Sequence, residues 1–364
     1  MTTGAMQHRQ NPQLVLWQLT TGCNLRCRHC RVTVTERTSP EDLSYPECLN
    51  VVNQLARYAP LVLLLGGGEP LWRRDVFDIA RHAARRRLRV ELTSNGTLVD
   101  ETMAERIQEA GIARVSISLD GSEAASHDEF RGLQGAFGVA VHGIRCLAAT
   151  GVPTQINTTV TKRNGHQLAA MLELAAQLGV KAVHLFIVVP VGCGLTVAKE
   201  ESLSGHEAEE ILSWFYEQAS KTRMELTASC AASNGRTVRP RPAREGSAGI
   251  PLAPAPHYGL QAVTNGCLAG HGVCFISHVG EVYPCGYLPV SAGNLRDEKF
   301  HDIWEHAEVL ERLRRPEELE AQCEVCEFRN VCSGCRTRAY EHGGRAPGAE
   351  PGYRNEPRGI CQVQ

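Results

Sequence analysis

The chain has 364 residues, 43% of them hydrophobic, and a formal net charge of −2. That length supports a large core plus a smaller second module, and that composition excludes a disordered chain. The near-neutral balance excludes a strong pull toward nucleic acid, and no apolar run approaches the ~20 residues of a membrane span. Met1 to Pro12 is polar and lacks the apolar stretch of a secretory signal. The expectation is a cytoplasmic monomer with no membrane and no nucleic-acid partner.

Residues 1–13 read as an N-terminal tail. From Leu14 the sequence alternates short apolar runs with longer amphipathic stretches. The runs are Leu14–Leu19, Leu61–Leu65, Arg89–Thr93, Arg114–Ser118, Thr154–Val160 and Ala182–Val189. They end at Gly, Asn, Asp or Thr and read as buried parallel strands. The stretches Pro40–Tyr58, capped by Ser39, and Val76–Arg87, Glu101–Ala110, Ala136–Ala149, Gln167–Leu178 and Glu207–Thr222 read as helices. Six β–α units predict an α/β fold, a partial (β/α)6 barrel over residues 14–226, with chemistry at the carboxyl ends of the strands. Residues 227–258 are rich in Pro and Arg and read as a loop or linker. Arg236, Arg239, Arg241 and Arg244 there suit either an anionic substrate or a solvated loop. Residues 259–364 read as a separate cysteine-rich module.

Fifteen cysteines in a chain expected in a reducing compartment point to metal rather than disulfides. After the first strand stand Cys23, Cys27 and Cys30, spaced C-x3-C-x2-C. Three thiolates in one loop can hold three irons of a cubane and leave the fourth open to a ligand. A zinc site would need a fourth Cys or His close by. His29 lies inside the C-x2-C turn, poorly placed for that. After the second strand comes Gly66-Gly67-Gly68-Glu69-Pro70. Ser94 and Asn95 follow the third strand, and Ser118 and Asp120 end the fourth. Ordinary turn and capping chemistry also uses such residues.

These motifs together resemble the radical S-adenosylmethionine superfamily. The resemblance implies a [4Fe–4S] cluster on Cys23, Cys27 and Cys30, with S-adenosylmethionine on its open iron and a 5′-deoxyadenosyl radical as the product of cleavage. It implies that Gly67, Gly68, Glu69 and Pro70 bind the methionine amino group. Ser94 and Asn95 would line the site, and Ser118 and Asp120 would lie near the ribose or carboxylate. Cys267, Cys274, Cys285, Cys323, Cys326, Cys332, Cys335 and Cys361 resemble the SPASM extension, which carries one or two auxiliary [4Fe–4S] clusters. A pair of zinc ribbons is the alternative from spacing alone. Carried over from the family, Cys267, Cys274, Cys285 and Cys335 hold one cluster, and Cys323, Cys326, Cys332 and Cys361 the other. The tail departs from the family pattern in ending Cys332-Ser-Gly-Cys335.

Phrases such as Trp17-Gln-Leu-Thr-Thr-Gly-Cys23, Gly266-Cys-Leu-Ala-Gly270 and Tyr287-Leu-Pro-Val-Ser-Ala-Gly-Asn-Leu295 are similar to the tetrapyrrole-tailoring subfamily of heme and heme d1 synthesis. That likeness implies hydrogen abstraction from a small molecule bearing a carboxylate, with decarboxylation of a porphyrin propionate. The rivals are a radical decarboxylase or dehydratase of a sugar acid or nucleoside, and a peptide-modifying maturase. A reductant such as flavodoxin or ferredoxin is the expected electron donor. Arg163 is a candidate to grip the carboxylate, and Cys193 a candidate to touch substrate. Asn157, Thr159, His184 and Phe186 are further barrel candidates.

Overall fold

The structure is a computed structural model that describes residues 11–36, 38–230, 267–326 and 329–348. Seven parallel strands make the barrel wall. They are β1 (Leu14–Gln18), β2 (Val62–Gly66), β3 (Arg89–Ser94), β4 (Arg114–Ser118), β5 (Thr154–Val160), β6 (Ala182–Ile187) and β7 (Glu225–Ser229). Each pairs with the next in sequence, and β7 carries the wall past the predicted limit at residue 226.

The helices outside the wall are α1 (Tyr45–Leu55), α2 (Val76–Arg85), α3 (Glu101–Glu109), α4 (Ala124–Arg131), α5 (Ala136–Ala149), α6 (Leu168–Gln177), α7 (Gly194–Glu201) and α8 (Gly205–Ala219). The first begins at Ser44 and not at Ser39. Glu47 accepts the Ser44 N–H at 2.7 Å, so the S-x-x-E box sets the start. Helices α4 and α7 were not foreseen.

In-out alternation fixes what each face of the wall carries. Val90, Leu92, Val115, Ile117, Ile156, Val183 and Leu185 are buried in one core with Ile107, Ile144, Leu147, Met171 and Phe215 of the helices. The opposite face is polar. Ser116 stands beside Gln155, and Asn157 beside His184, in the pairing register.

The tail is not separate from the barrel sheet. Strand β8 (Val273–Ile276) pairs in parallel with β1, and β9 (Glu281–Tyr283) and β10 (Gly293–Asn294) continue antiparallel beyond it. The sheet has ten strands in the order β10-β9-β8-β1-β2-β3-β4-β5-β6-β7, with its ends unpaired, so the barrel is open. Had β8 been absent, β1 would present a bare edge. Helices α9 (Phe300–His306), α10 (Glu308–Leu313) and α11 (Arg336–Gly343) follow. The linker arginines at 236, 239, 241 and 244, and Cys361, lie outside the described residues. No helix among the described residues is long and apolar enough to cross a membrane.

Candidate active site

Residues 19–31 leave the carboxyl end of β1 and are pinned from several sides. Leu19 donates to the Gly66 carbonyl at 2.9 Å, Gly68 to Thr20 at 2.8 Å and Glu69 to Gly22 at 2.7 Å. A Cβ on Gly68 would stand 2.2 Å from the Gly22 oxygen, and one on Gly67 2.6 Å from the Thr20 oxygen. These glycines therefore let the β2 loop press against the cysteine loop. On the far side Arg28 donates to the Phe130 carbonyl at 3.0 Å, and Cys193 to the Cys30 carbonyl at 2.9 Å. Gly192 makes that second approach possible, since a Cβ there would lie 2.6 Å from the Arg31 oxygen.

The three thiols sit among N–H donors. The Leu25 amide points at Cys23 Sγ (3.4 Å), as does Asn95 Nδ2 (3.9 Å), and Arg131 Nη1 points at Cys27 Sγ (3.7 Å). Burial pushes the Cys23 thiol up to about 11 and raises Cys30 as well. Buried thiols of this kind are inert as nucleophiles and lose their protons to a soft metal. Donors aimed at the sulfurs then stabilise thiolate charge, as in iron–sulfur sites. A zinc ion would hold its thiolates closer together. At Zn–S of about 2.3 Å, tetrahedral sulfurs lie roughly 3.8 Å apart. Among the described residues only Glu101, His142 and Cys146 bring three metal-type donors within 4.8 Å of one another. The Cys23–Cys27–Cys30 set thus has the donor chemistry of a cubane.

Glu69 is fully buried beside this loop. It accepts from Leu71 N–H (3.1 Å), Ser94 Oγ (2.9 Å) and Asn95 N–H (2.8 Å). Burial lifts its carboxyl to about 7 despite those bonds. A carboxylate offers about four acceptor positions, so one remains for a ligand ammonium group, whose charge would restore ionisation. Pro70 opens the short 3-10 turn after it. Ser94 and Asn95 therefore act through Glu69. Asn95 also donates to Asn24 at 2.9 Å and ties β3 to the cysteine loop. Ser118, half-buried, stands beside Asn157 on the polar face.

Asp120 is held by other residues of the chain. It is fully buried, accepts from Thr159 N–H at 2.7 Å and pairs with Arg131 Nη2 at 2.6 Å. Burial works to raise its carboxyl, but Arg131, with His29 and His127, more than offsets this and holds it low. Its partner is the guanidinium that reaches Cys27. His29 stacks on Phe130 at 4.2 Å, and burial lowers it to about 4, so it is neutral near pH 7. Arg163 is engaged too, with Glu129 at 2.5 Å and Glu201 at 3.2 Å. Cys193 caps α7 next to the loop, with an exposed side chain. His184 bonds Ser229 at 2.8 Å and Thr227 at 2.7 Å and tilts against Phe186.

In the tail one predicted ligand turns away. Cys274 lies on β8 with no exposure, packed in the hydrophobic core. Its neighbour Phe275 faces Arg31, so alternation sends Cys274 to the helical side. Cys230, not among the predicted ligands, is found instead at the end of β7, within electrostatic reach of Cys335, Cys285 and Cys267. Its φ of 56° turns the chain there, and its carbonyl accepts from Arg338 at 2.8 Å. Cys285 approaches Thr337 Oγ1 at 3.6 Å, and Cys267 donates its N–H to Cys332 O at 3.2 Å. Cys323 takes a contact from Arg336 Nη2 at 3.7 Å, while Cys326 and Cys332 are half-buried nearby.

Comparison with known proteins decides the family. Residues 17–189 match the family model of the Radical SAM superfamily, and residues 267–327 match SPASM, an iron–sulfur cluster-binding domain. The chain is 45% identical to the AdoMet-dependent heme synthase of Methanosarcina barkeri over 329 residues, 90% of this chain and 92% of that protein. The chain belongs to the radical SAM superfamily. It is an enzyme that uses S-adenosylmethionine with a [4Fe–4S] cluster and carries auxiliary iron–sulfur clusters in its SPASM extension. It is also 30% identical to the mycofactocin maturase MftC of Mycobacterium tuberculosis over 346 residues, 93% of this chain and 82% of that one. In fold it resembles Streptococcus suis SuiB bound to S-adenosylmethionine, with TM-score 0.69 and 13% identity, over 91% of this chain and 72% of that one.

Proposed function

We propose that this radical SAM enzyme decarboxylates a propionate side chain of an iron-tetrapyrrole, in the manner of a heme synthase. The observation that supports this reading most is the 45% identity to a heme synthase, which runs nearly end to end through both chains. Bound, the iron–sulfur centres and S-adenosylmethionine supply electrons and the radical that removes a hydrogen atom.

The chain's own residues do the rest. Glu69 takes an ammonium group on its free lone pair, and Ser94 and Asn95 hold it in place. The Asp120–Arg131 pair steadies the sulfur of Cys27. The polar inner face, with Ser118, Asn157 and His184, accommodates a charged substrate. In balance, the propionate would lose one hydrogen atom to the 5′-deoxyadenosyl radical, one electron to an auxiliary iron–sulfur centre acting as acceptor, and CO2, and a vinyl group would remain. Cys230, Cys267, Cys285 and Cys335 are read as the thiolates of the auxiliary centre nearest the barrel, and Cys323, Cys326, Cys332 and Cys361 as those of the other. A flavodoxin or ferredoxin is read as the electron donor.

The test offers iron-coproporphyrin III to anaerobically reconstituted protein with reductant and S-adenosylmethionine. A product lighter by CO2 and two hydrogens per side chain supports the reading. If mass is lost only from a nucleoside uronic acid, or changes only in a peptide, the corresponding rival replaces it.

A further inference from the structure

The arginines around the cysteine loop are paired with acids. Arg26 faces Glu36, Arg28 faces Glu201, Arg131 faces Asp120 and Arg163 faces Glu129 and Glu201. Arg31, the residue after Cys30, is different. Its Nη1 donates to the Gly286 carbonyl at 3.0 Å, and its guanidinium carbon lies 4.4 Å from the Phe275 ring centre. The charged or ionisable groups that face it are Tyr287, Cys30 and Cys285, and none is a carboxylate. Among the described residues, its Nε and Nη2 have no hydrogen-bond partner.

Those two nitrogens form the flat edge of the guanidinium, which takes a carboxylate by two parallel N–H···O bonds. Phe275 and Gly286 fix the plane of the group from one side, and a Cβ on Gly286 would sit 3.5 Å from the guanidinium carbon. Tyr287 lies within electrostatic reach of the same guanidinium. The spot also lies between the two cysteine sets, since Arg31 is bonded in sequence to Cys30 and reaches Gly286, next to Cys285. A half-buried cation held without an acid is a site for an anion that arrives from outside.

We propose that Arg31, with Tyr287 beside it, is the anchor for the substrate's carboxylate. The inference rests on the reading of a carboxylate substrate given above and names the residue that selects it. The competing role for Arg31 is compensation of thiolate charge at Cys30 and Cys285.

The experiment uses the cluster-loaded protein and follows the Soret band while iron-coproporphyrin III, or its tetramethyl ester, is titrated in. Arg31→Gln is expected to weaken binding of the acid about 10- to 100-fold and to leave the ester within about twofold of wild type. Arg31→Lys, which keeps charge but not the fork, should recover part of the loss. Tyr287→Phe leaves the charge untouched and serves if Arg31→Gln fails to take up iron. It should cost the acid roughly three- to tenfold. Equal losses for acid and ester, or unchanged binding with a shifted cluster reduction potential, would overturn the anchor. If wild type ignores the porphyrin but binds a nucleoside uronic acid through Arg31, the porphyrin reading fails and the anchor stands. If wild type binds neither acid, both fall.

Discussion

The front cysteine loop and the tail cysteines hold sulfur in opposite ways. Cys23, Cys27 and Cys30 come from one segment of eight residues, and the loops after β2 and β6 and the last turn of α4 fasten it by backbone hydrogen bonds. Cys230, Cys267, Cys285 and Cys335 come from four places, the end of β7, the approach to β8, the turn after β9 and the start of α11. A local site of the first kind is set by spacing. A distributed site of the second kind exists only once the sheet has closed β8 onto β1, so its ligands follow from topology.

Two substitutions break the comparison at its strongest point. Cys27→Ser is expected to abolish S-adenosylmethionine cleavage and remove one cluster's worth of iron. Cys230→Ser should remove iron from the tail alone and leave cleavage without substrate in place. Iron and sulfide analysis with 5′-deoxyadenosine measurement reads both. If Cys230→Ser retains full iron, the four-thiolate assignment is wrong.

The next effect concerns what supports the front loop. Asp120→Asn leaves the Arg131 guanidinium buried without its acid, and removal of one partner from a buried pair costs about 3–5 kcal/mol. Urea unfolding of the cluster-loaded protein should show that loss. The double change Asp120→Asn with Arg131→Met should regain much of it, because no charge is then stranded. Additive losses in the double variant would show that the two side chains act independently.

How much of this was legible in the sequence follows the same division. The triad spacing, Gly67-Gly68-Glu69-Pro70 and the strands from β1 to β6 are local signals, and they place Glu69 against Ser94 and Asn95. Arg131 was not legible. It rides on α4, which lacks a side-chain cap and a strong apolar stripe. Arg163 looked available because its acids, Glu129 and Glu201, are far from it in sequence. Cys274 misled for a different reason. Val273-Cys-Phe-Ile is apolar at every position, so its period does not tell which face is inside.

A smaller effect separates Glu69 from its neighbours by pH. Its carboxyl stands at about 7 in the folded chain against an ordinary value of 4.5. A raised folded value means the folded protein keeps a proton that the unfolded chain releases, so this contribution is present below pH 4.5 and lost as pH rises through 7. The total is about 3 kcal/mol at 1.36 kcal/mol per unit. Without S-adenosylmethionine, wild type should lose stability relative to Glu69→Gln across that window. With S-adenosylmethionine bound the difference should shrink, because the ammonium group favours the ionised carboxyl. Parallel pH curves for the two proteins would mean that Glu69 does not titrate there.

The smallest expected effect belongs to Cys274→Val, and it tests the division most sharply. Cys274 has no exposed surface and packs in the hydrophobic core, with Arg314 as its charged neighbour. Burial pushes its thiol far up, so it behaves as a small apolar side chain. Valine has a similar volume, and such swaps in a core cost less than about 1.5 kcal/mol. Iron and sulfide content should therefore match wild type, and the unfolding midpoint should move little. A loss of tail iron in Cys274→Val, with Cys230→Ser silent, would reverse the two assignments. The β8 face that carries Phe275 toward Arg31 would then have to carry Cys274 instead, which requires a one-residue slip of β8 along β1. That slip would turn every side chain of β8 to the other face and move Phe275 into the helical layer. The same experiment therefore reads both the ligand set and the register that joins the tail to the barrel.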